Sequence, residues 1–295
     1  MGLLILLFVA YQLWGTGYFT ARAQASLEDD FAQAQQDYEA QLGDDPVVTP
    51  DTTAPTTPTT PAPLPIPDDG KVVGGINIDK IGVSEWFVQG TSRDNLQDGP
   101  GHYPETVMPG QLGNAAIAGH RTTYGAPFNR LDEVHVGDEI VISLPNGKYT
   151  YKVSQEPFAV KPTDVSVVAN TPDAATLTLT TCNPKYSARE RLIIKADLVV
   201  EVSPPAVDPK DLPAESQPVQ AESHEDALED GLQGEQKSLG PAWNWGLLAI
   251  VVGMAWWWVY RRWRHPATWA LGVVPFLMVL FVFYVYLERA LPAGY

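Results

Sequence analysis

The sequence predicts an all-β barrel or sandwich tethered between apolar helical spans. Three observations lead to that reading. Between Lys71 and Glu201, short apolar runs of strand length alternate with Gly, Pro and Asn-Gly turn signals, and helical periodicity is scarce. Within it, Thr176-Leu177-Thr178-Leu179-Thr180-Thr181-Cys182 alternates apolar and hydroxyl residues at period two, with β-branched threonines that favour an extended strand. Outside it stand three long apolar stretches, separated from it by Pro/Thr-rich and acidic segments.

The first apolar stretch, Gly2–Phe19, carries no charge before Arg22. Read as a helix it spans ~27 Å, close to the hydrocarbon core of a bilayer. It lacks the basic start and small-residue cleavage site of a secretory signal, so residues 1–20 are expected to be an uncleaved transmembrane anchor. Residues 21–70 read as a polar segment followed by a linker. Thr52-Thr53-Ala54-Pro55-Thr56-Thr57-Pro58 typifies a composition that builds no core and extends at ~3.1 Å per residue.

The domain assigned to 71–201 opens with Val72–Val88, two apolar runs broken at Gly82. A turn-rich loop, Asp98–Pro104, follows. Gly113–Gly119 reads as a buried strand of small residues ending at His120. Glu139–Leu144 and Tyr149–Val153 are joined by an Asn-Gly hairpin signal in Pro145-Asn146-Gly147-Lys148. Lys161–Asn170 is a connection, and Thr176–Thr181 and Arg191–Val200 complete the strands. Residues 202–240 read as an acidic disordered linker. Trp243–Tyr260 and Ala267–Leu287, within 243–287, are expected to be two transmembrane helices around the basic loop Arg261-Arg262-Trp263-Arg264-His265. By the positive-inside rule that loop is cytoplasmic, which places the β domain outside the cell membrane, on a multi-pass chain in contact with membrane lipid.

Charge narrows the function. The net charge of −16 is carried by the tethers: Ser26–Asp69 holds ten acids and no Lys or Arg, and Val202–Gly240 holds nine acids and two lysines. The domain from Lys71 to Val200 is nearly balanced, with fourteen acids and twelve bases. There is no basic stripe to meet phosphates, so no nucleic acid partner is expected. One cysteine in 295 residues excludes an internal disulfide and a cysteine-rich zinc site. No cofactor and no metal ligands are expected.

An unpaired thiol outside the cell needs a reason, and catalysis supplies one. A thiolate needs a neighbouring base, and the imidazole that serves can later protonate a leaving amine. Of five histidines, His224 lies in the acidic tether and His265 in the cytoplasmic loop; His102, His120 and His135 remain. His120 ends a strand, as Cys182 does, and Arg191 opens the run Arg191-Leu192-Ile193-Ile194. On the residues alone, Cys182 is a nucleophile or a small buried apolar group, and Arg191 an electrostatic partner or a surface charge.

The order Leu179-Thr180-Thr181-Cys182 followed by Arg191-Leu192-Ile193-Ile194 resembles the Leu-x-Thr-Cys motif and downstream arginine of sortases, and Ala118-Gly119-His120 is similar to their histidine motif. The resemblance runs from Lys71 to about Glu201. The strings Gly99-Pro100-Gly101-His102-Tyr103-Pro104, Gly119-His120-Arg121-Thr122-Thr123-Tyr124-Gly125 and Thr181-Cys182-Asn183-Pro184-Lys185-Tyr186 are most similar to class E sortases of high-GC Gram-positive bacteria. The resemblance implies an eight-stranded β-barrel. It implies Cys182 as nucleophile, His120 as general acid/base and Arg191, rather than its neighbour Arg189, as stabiliser of the oxyanion. It matches Tyr103 to a tyrosine of the substrate groove associated with Leu-Ala-x-Thr-Gly over Leu-Pro-x-Thr-Gly, with Thr181 beside it as a substrate-binding residue. The implied activity is transpeptidation: cleavage of a sorting signal between Thr and Gly, then transfer of the thioacyl intermediate to an amine of a lipid II-type cell-wall precursor, which anchors surface proteins. Asp45-Pro46 is followed by Val47, so the Asp-Pro-aromatic lid of pilin-polymerising sortases is not met. The alternatives are such a polymerase or a non-enzymatic wall-binding β domain.

Overall fold

The computed structural model describes residues 7, 11, 15–42, 62–218, 240–263 and 266–290. Most of the expected N-terminal anchor, linker residues 43–61 with the Asp45-Pro46-Val47 string, and the acidic stretch 219–239 lie outside the described residues. The chain divides into two units, one made of Met1–Gly15 with Glu235–Ala293, the other containing Thr16–Gly234.

The larger unit is built on nine strands: β1 (Val72–Ile78), β2 (Val83–Gln89), β3 (Gly101–His102), β4 (Gly113–Ala118), β5 (Glu139–Leu144), β6 (Gly147–Val153), β7 (Phe158–Val160), β8 (Ala175–Asn183) and β9 (Glu190–Leu198). They run in the order β6-β5-β1-β2-β3-β4-β8-β9, and pairing of β6 with β9 closes an eight-stranded barrel. Strand β7 stands outside the ring. It pairs with Arg191–Ile193 of β9, while β6 takes Ala196–Leu198 farther along. Closure removes the open edges that invite edge-to-edge association. Most neighbours are antiparallel, but β2–β3 and β4–β8 are parallel.

The local reasons are simple. Gly82 sits at φ 71° between β1 and β2, in the left-handed region that a Cβ disfavours. The β5–β6 hairpin pairs Leu144 with Gly147 across a two-residue turn. Inward-facing residues, among them Ile76, Phe87, Ile117, Ile142, Leu177 and Leu179, are almost completely enclosed. Each such side chain contributes ~1.5–3 kcal/mol of burial. A second, smaller cluster lies apart from this core: Tyr103, Ala116, Ala118 and Val168, with Leu96, Val165 and Val167.

Among the described residues two α-helices belong to this unit: α1 (Thr16–Leu42) and α2 (Arg93–Asp98). From the sequence an anchor to residue 20 and a short helix in the polar segment up to Leu42 are expected; Thr16–Leu42 is one continuous helix, laid on the barrel with Leu27 and Phe31 packed against Val72 and Val88. The ordered chain also continues past the expected boundary at Glu201. Leu112 N donates to Val207 O at 2.8 Å, Thr150 N to Ser203 Oγ at 3.0 Å, and Ile66 N to Glu215 O at 2.8 Å. Segments 62–69 and 202–217 thus lie against the domain rather than apart from it.

The smaller unit contains α3 (Gly240–Trp263) and α4 (Pro266–Ala290). Gly246 and Gly253 of α3 make room for the rings of Phe283 and Phe276, and Tyr11 packs on Leu280 and Tyr284. Residues Gly240–Arg262 are long and apolar enough to cross a membrane, and Gly272–Leu287 is a shorter apolar helix stretch. Leu247, Ile250, Val251, Met254 and Trp258 stay exposed on α3, the surface of a helix that is apolar nearly all round. The second expected span is therefore a helix, but among the described residues only α3 is both long and apolar enough to cross a membrane.

Candidate active site

Strand parity places the candidate residues. On β8, Leu177 and Leu179 point into the barrel, so Thr178, Thr180 and Cys182 point out of it. Residues directly opposite in an antiparallel ladder share a face, and Cys182 is opposite Arg191. In the parallel ladder Ala118 is level with Thr180, and the ladder continues one step: Gly119 N donates to Thr180 O at 3.1 Å and Thr181 Oγ1 to Gly119 O at 2.7 Å. His120 follows, at the outward step of the same alternation. Three adjacent strand ends thus bring His120, Cys182 and Arg191 to one rim of the barrel, on its outer face.

Each member has its own surroundings. Cys182 is half-buried and in no disulfide. Arg191 is buried, and its Nη1 donates to Ala188 O at 3.1 Å and Glu190 O at 3.2 Å, so it also shapes the turn that leads into β9. His120 Nε2 is enclosed without a hydrogen-bond partner, and the ring lies 5.1 Å from that of Tyr124. Burial, with the Arg93 guanidinium adding to it, lowers the His120 pKa to about 4. The imidazole is therefore neutral at physiological pH, with one ring nitrogen free of a proton and its burial opposing the charged form.

Gly119 explains how the histidine reaches the rim. A Cβ there would sit 2.6 Å from Phe128 Cδ2, so the Phe128 ring occupies the space of a side chain. Phe128 is itself fully buried, and its N–H donates to His120 O at 3.1 Å.

Tyr103 and Thr181, the residues expected to bind substrate, are both buried. Tyr103 is completely enclosed, with its hydroxyl 3.0 Å from Thr180 Oγ1. Burial raises its pKa to about 12; the hydrogen bond to Thr180 and then the Arg191 charge act the other way, and Cys182 is also within electrostatic reach. Thr181 is buried and its hydroxyl is committed to Gly119. Both lie under the rim and brace it.

One residue with a large structural share was not singled out from the sequence. Arg121, directly after His120, is almost wholly buried. Its Nη1 donates to Cys182 O at 3.1 Å and to Asn183 Oδ1 at 2.8 Å, and its Nη2 meets Asp132 Oδ1 at 2.9 Å. It ties the histidine strand end to the cysteine strand end. The available signal was a charge inside an otherwise small and polar string, which does not reveal burial.

The connection 161–174 is fixed to the same outer face. Lys195 Nζ donates to Val167 O and to Thr178 Oγ1, the latter at 2.7 Å; Thr178 Oγ1 donates to Asn114 Oδ1 at 2.7 Å; and Asn114 Nδ2 donates to Ala169 O at 3.1 Å. Burial lowers the Lys195 pKa to about 8. His102 does not join the rim. It is fully buried between the Gln89 side-chain amide and Val107 O, each at 2.9 Å, and burial lowers its pKa to about 4.

A thiol, a neutral imidazole and a guanidinium on adjacent strand ends of a closed β-barrel are groups that can together support nucleophilic acyl transfer. Comparison with known proteins agrees. A profile of the sortase domain matches residues 76–199. The chain is 30% identical over 219 residues to sortase SrtE1 of Streptomyces coelicolor, covering 68% of this chain and 54% of that protein. It is 31% identical over 220 residues to sortase SrtE2 of the same organism, covering 67% and 78%. Among solved structures, sortase E from Streptomyces avermitilis is 33% identical and covers 51% of this chain and all of that one, with a TM-score of 0.42. The chain thus spans about half the length of SrtE1 and most of SrtE2. It belongs to the sortase family, a family of transpeptidases, and resembles its class E members.

Proposed function

We propose that this protein is a membrane-anchored transpeptidase that cleaves a Leu-Ala/Pro-x-Thr-Gly sorting signal between Thr and Gly and passes the acyl group to an amine of a cell-wall precursor. The observation that carries the reading is the Cys182–Arg191 cross-strand pair, which shares its face with the outward step of the strand end that bears His120.

The chemistry follows from those positions. The neutral imidazole of His120 takes the thiol proton as Cys182 Sγ bonds to the threonine carbonyl carbon. The oxygen of the tetrahedral intermediate gains negative charge next to the Arg191 guanidinium; one well-placed donor of this kind is typically worth ~3–4 kcal/mol of barrier. The C–N bond breaks, His120 returns its proton to the departing glycine amine, and a thioester remains on Cys182. The acceptor amine then attacks the thioester, gives its proton to His120 and leaves with the acyl group, and the thiol is restored. Tyr103 and Thr181 act beneath the rim, the first through Thr180 and the second through Gly119.

Anchorage fits the same reading. In this reading helix α3 supplies one span, α4 a second, and the apolar stretch before Thr16 a third. Arg261 and Arg262 lie in the last turn of α3, where the positive-inside rule assigns them to the cytoplasm. The catalytic rim then works outside the membrane, where surface proteins carrying sorting signals and lipid-linked precursors meet.

The deciding assay uses the full chain in detergent. With a Leu-Ala-x-Thr-Gly peptide and no amine, intact-mass analysis should show a thioester adduct on Cys182; with a glycine-type amine, the adduct should discharge to a new amide. Persistent absence of the adduct, with the thiol still open to alkylation, would sink the proposal.

A further inference from the structure

The first two turns of α1 touch both elements that flank His120. On one side is the loop that follows the histidine. Tyr124 N donates to Thr16 Oγ1 at 3.2 Å, and the Tyr124 ring lies against the His120 ring, 5.1 Å between centroids and inclined by 35°. Tyr124, Gly125 and Ala126 have φ of 52°, 73° and 48° in succession. Two of the three carry a Cβ in the left-handed region, a conformation that persists only where the surroundings hold it. Thr16 and Thr20 are buried on that turn, and a Cβ on Gly125 would stand 3.4 Å from Thr20 Cγ2.

On the other side is α2, which carries Arg93, the charge that acts on His120. Thr20 Oγ1 donates to Gln97 O at 2.8 Å, and Gln24 Nε2 to Asp98 O at 2.8 Å. Helix α1 is itself firmly seated. The Gln24 amide accepts from Trp86 N at 2.7 Å and donates to Trp86 O at 2.8 Å, and the Phe31 ring is 4.5 Å from the Trp86 ring.

We propose that α1 is one wall of the catalytic site: Thr16 and Thr20 are positioning residues that hold the Tyr124 turn and α2, and thereby fix the His120 imidazole. Removing α1 leaves the Tyr124 amide without this acceptor and the Gln97 carbonyl without Thr20, so a domain cut to begin at Lys71 lacks part of its site.

That His120 carries protons rests on the function proposed above; where its ring is held does not, and the test keeps the two apart. The full chain is labelled with ¹³C-histidine and titrated by NMR, with His120→Gln to assign the resonance. The wild-type His120 midpoint should lie near 4. In Thr16→Val and in Thr16→Val/Thr20→Val it should rise by a pH unit or more toward the ordinary histidine value, and Thr16→Ser should restore it. His102, buried far inside the hydrogen-bonded barrel, reports on the fold and should keep its own midpoint. In parallel, kcat for acyl transfer should fall at least tenfold in the double variant, with KM within twofold. An unchanged His120 midpoint in the double variant overturns the inference, and so does a rise shared by His102, which would mean general loosening. If the wild type forms no thioester while His120 still shifts in the variants, the proposed function falls and the positioning role stands.

Discussion

Arg121→Ala tests whether the thiol's strand end is held by the guanidinium beneath it. The substitution removes the donor to Cys182 O and to Asn183 Oδ1 and frees Asp132. Hydrogen bonds to a charged group contribute ~1.5–3 kcal/mol each. The ion pair adds little, because Asp132 is 46% exposed and water replaces the lost partner. Arg121 Nε is enclosed without a partner, so removing it recovers part of the loss. The expected cost is ~3 kcal/mol, within a typical domain stability of ~5–15 kcal/mol, so the variant stays folded. Activity should suffer more. A displacement of ~1 Å at a reacting atom can cost ~10²-fold, and the Cys182 carbonyl is the point released. Urea unfolding of the full chain would read the first effect. The rate of thioester formation on a sorting-signal peptide would read the second, with iodoacetamide alkylation as a measure of the thiol independent of substrate. Arg121→Lys should fall between, since a single ammonium cannot span Cys182, Asn183 and Asp132 as the planar fork does. A variant Arg121→Ala that loses less than ~1 kcal/mol and keeps its rate of thioester formation would refute the argument.

Three other outcomes follow from the same geometry. Gly119→Ala must displace the buried Phe128 ring; an overpacking cost of ~1–3 kcal/mol and a slower acyl transfer are expected, and Phe128→Leu in the same chain should relieve both. For His102, the folded pKa of about 4 lies below the unfolded value near 6.5, so the unfolded chain binds a proton that the folded chain refuses in that window. Stability is therefore lost as pH falls from 6.5 toward 4, by up to ~3 kcal/mol, and the slope of urea stability against pH should flatten in His102→Gln; identical slopes would refute the assignment. Tyr103→Phe leaves Thr180 Oγ1 without its buried partner and should cost ~1–3 kcal/mol, largely restored in Tyr103→Phe/Thr180→Val; a rise in KM for the peptide with stability untouched would instead mark Tyr103 as a direct substrate contact.

The barrel was legible because its strands obey strong local rules. Gly82 broke β1 from β2, the Asn-Gly signal gave the β5–β6 hairpin, and the small-residue run at Gly113 became β4. What local rules do not encode was missed. Strand β7 is three residues long and exists because β9 offers an unoccupied edge, a tertiary cause. Helix α1 shows only a thin apolar signal, Leu27 and Phe31, and docks largely through the polar side chains of Thr16, Thr20 and Gln24, the first two of which fall within the stretch expected to be a membrane anchor. The candidate triad could be read from residue type and motif, but its supports could not. Arg121 is a charge made structural by burial, and Tyr103 a hydroxyl engaged by Thr180 on the outer face of β8.

The alternation of β8 carries two demands at once. Its inward set, Leu177 and Leu179, fills the barrel; its outward set, Thr178 and Thr180, fixes the 161–174 connection and Tyr103. Cys182 is the next outward residue, so the pattern that builds the core also presents the thiol. A register slip of one residue would turn Cys182 into the interior and the leucines out, so the site cannot tolerate ambiguity in pairing. The structure supplies redundancy against that slip: a six-pair parallel ladder with β4 on one side, an eight-pair antiparallel ladder with β9 on the other, and two side-chain ties at the end, Thr181 to Gly119 and Arg121 to Cys182. Both ties reach the strand that leads into His120 or the residue just after it. They therefore fix the thiol relative to the imidazole, which is the one separation that proton transfer between them requires.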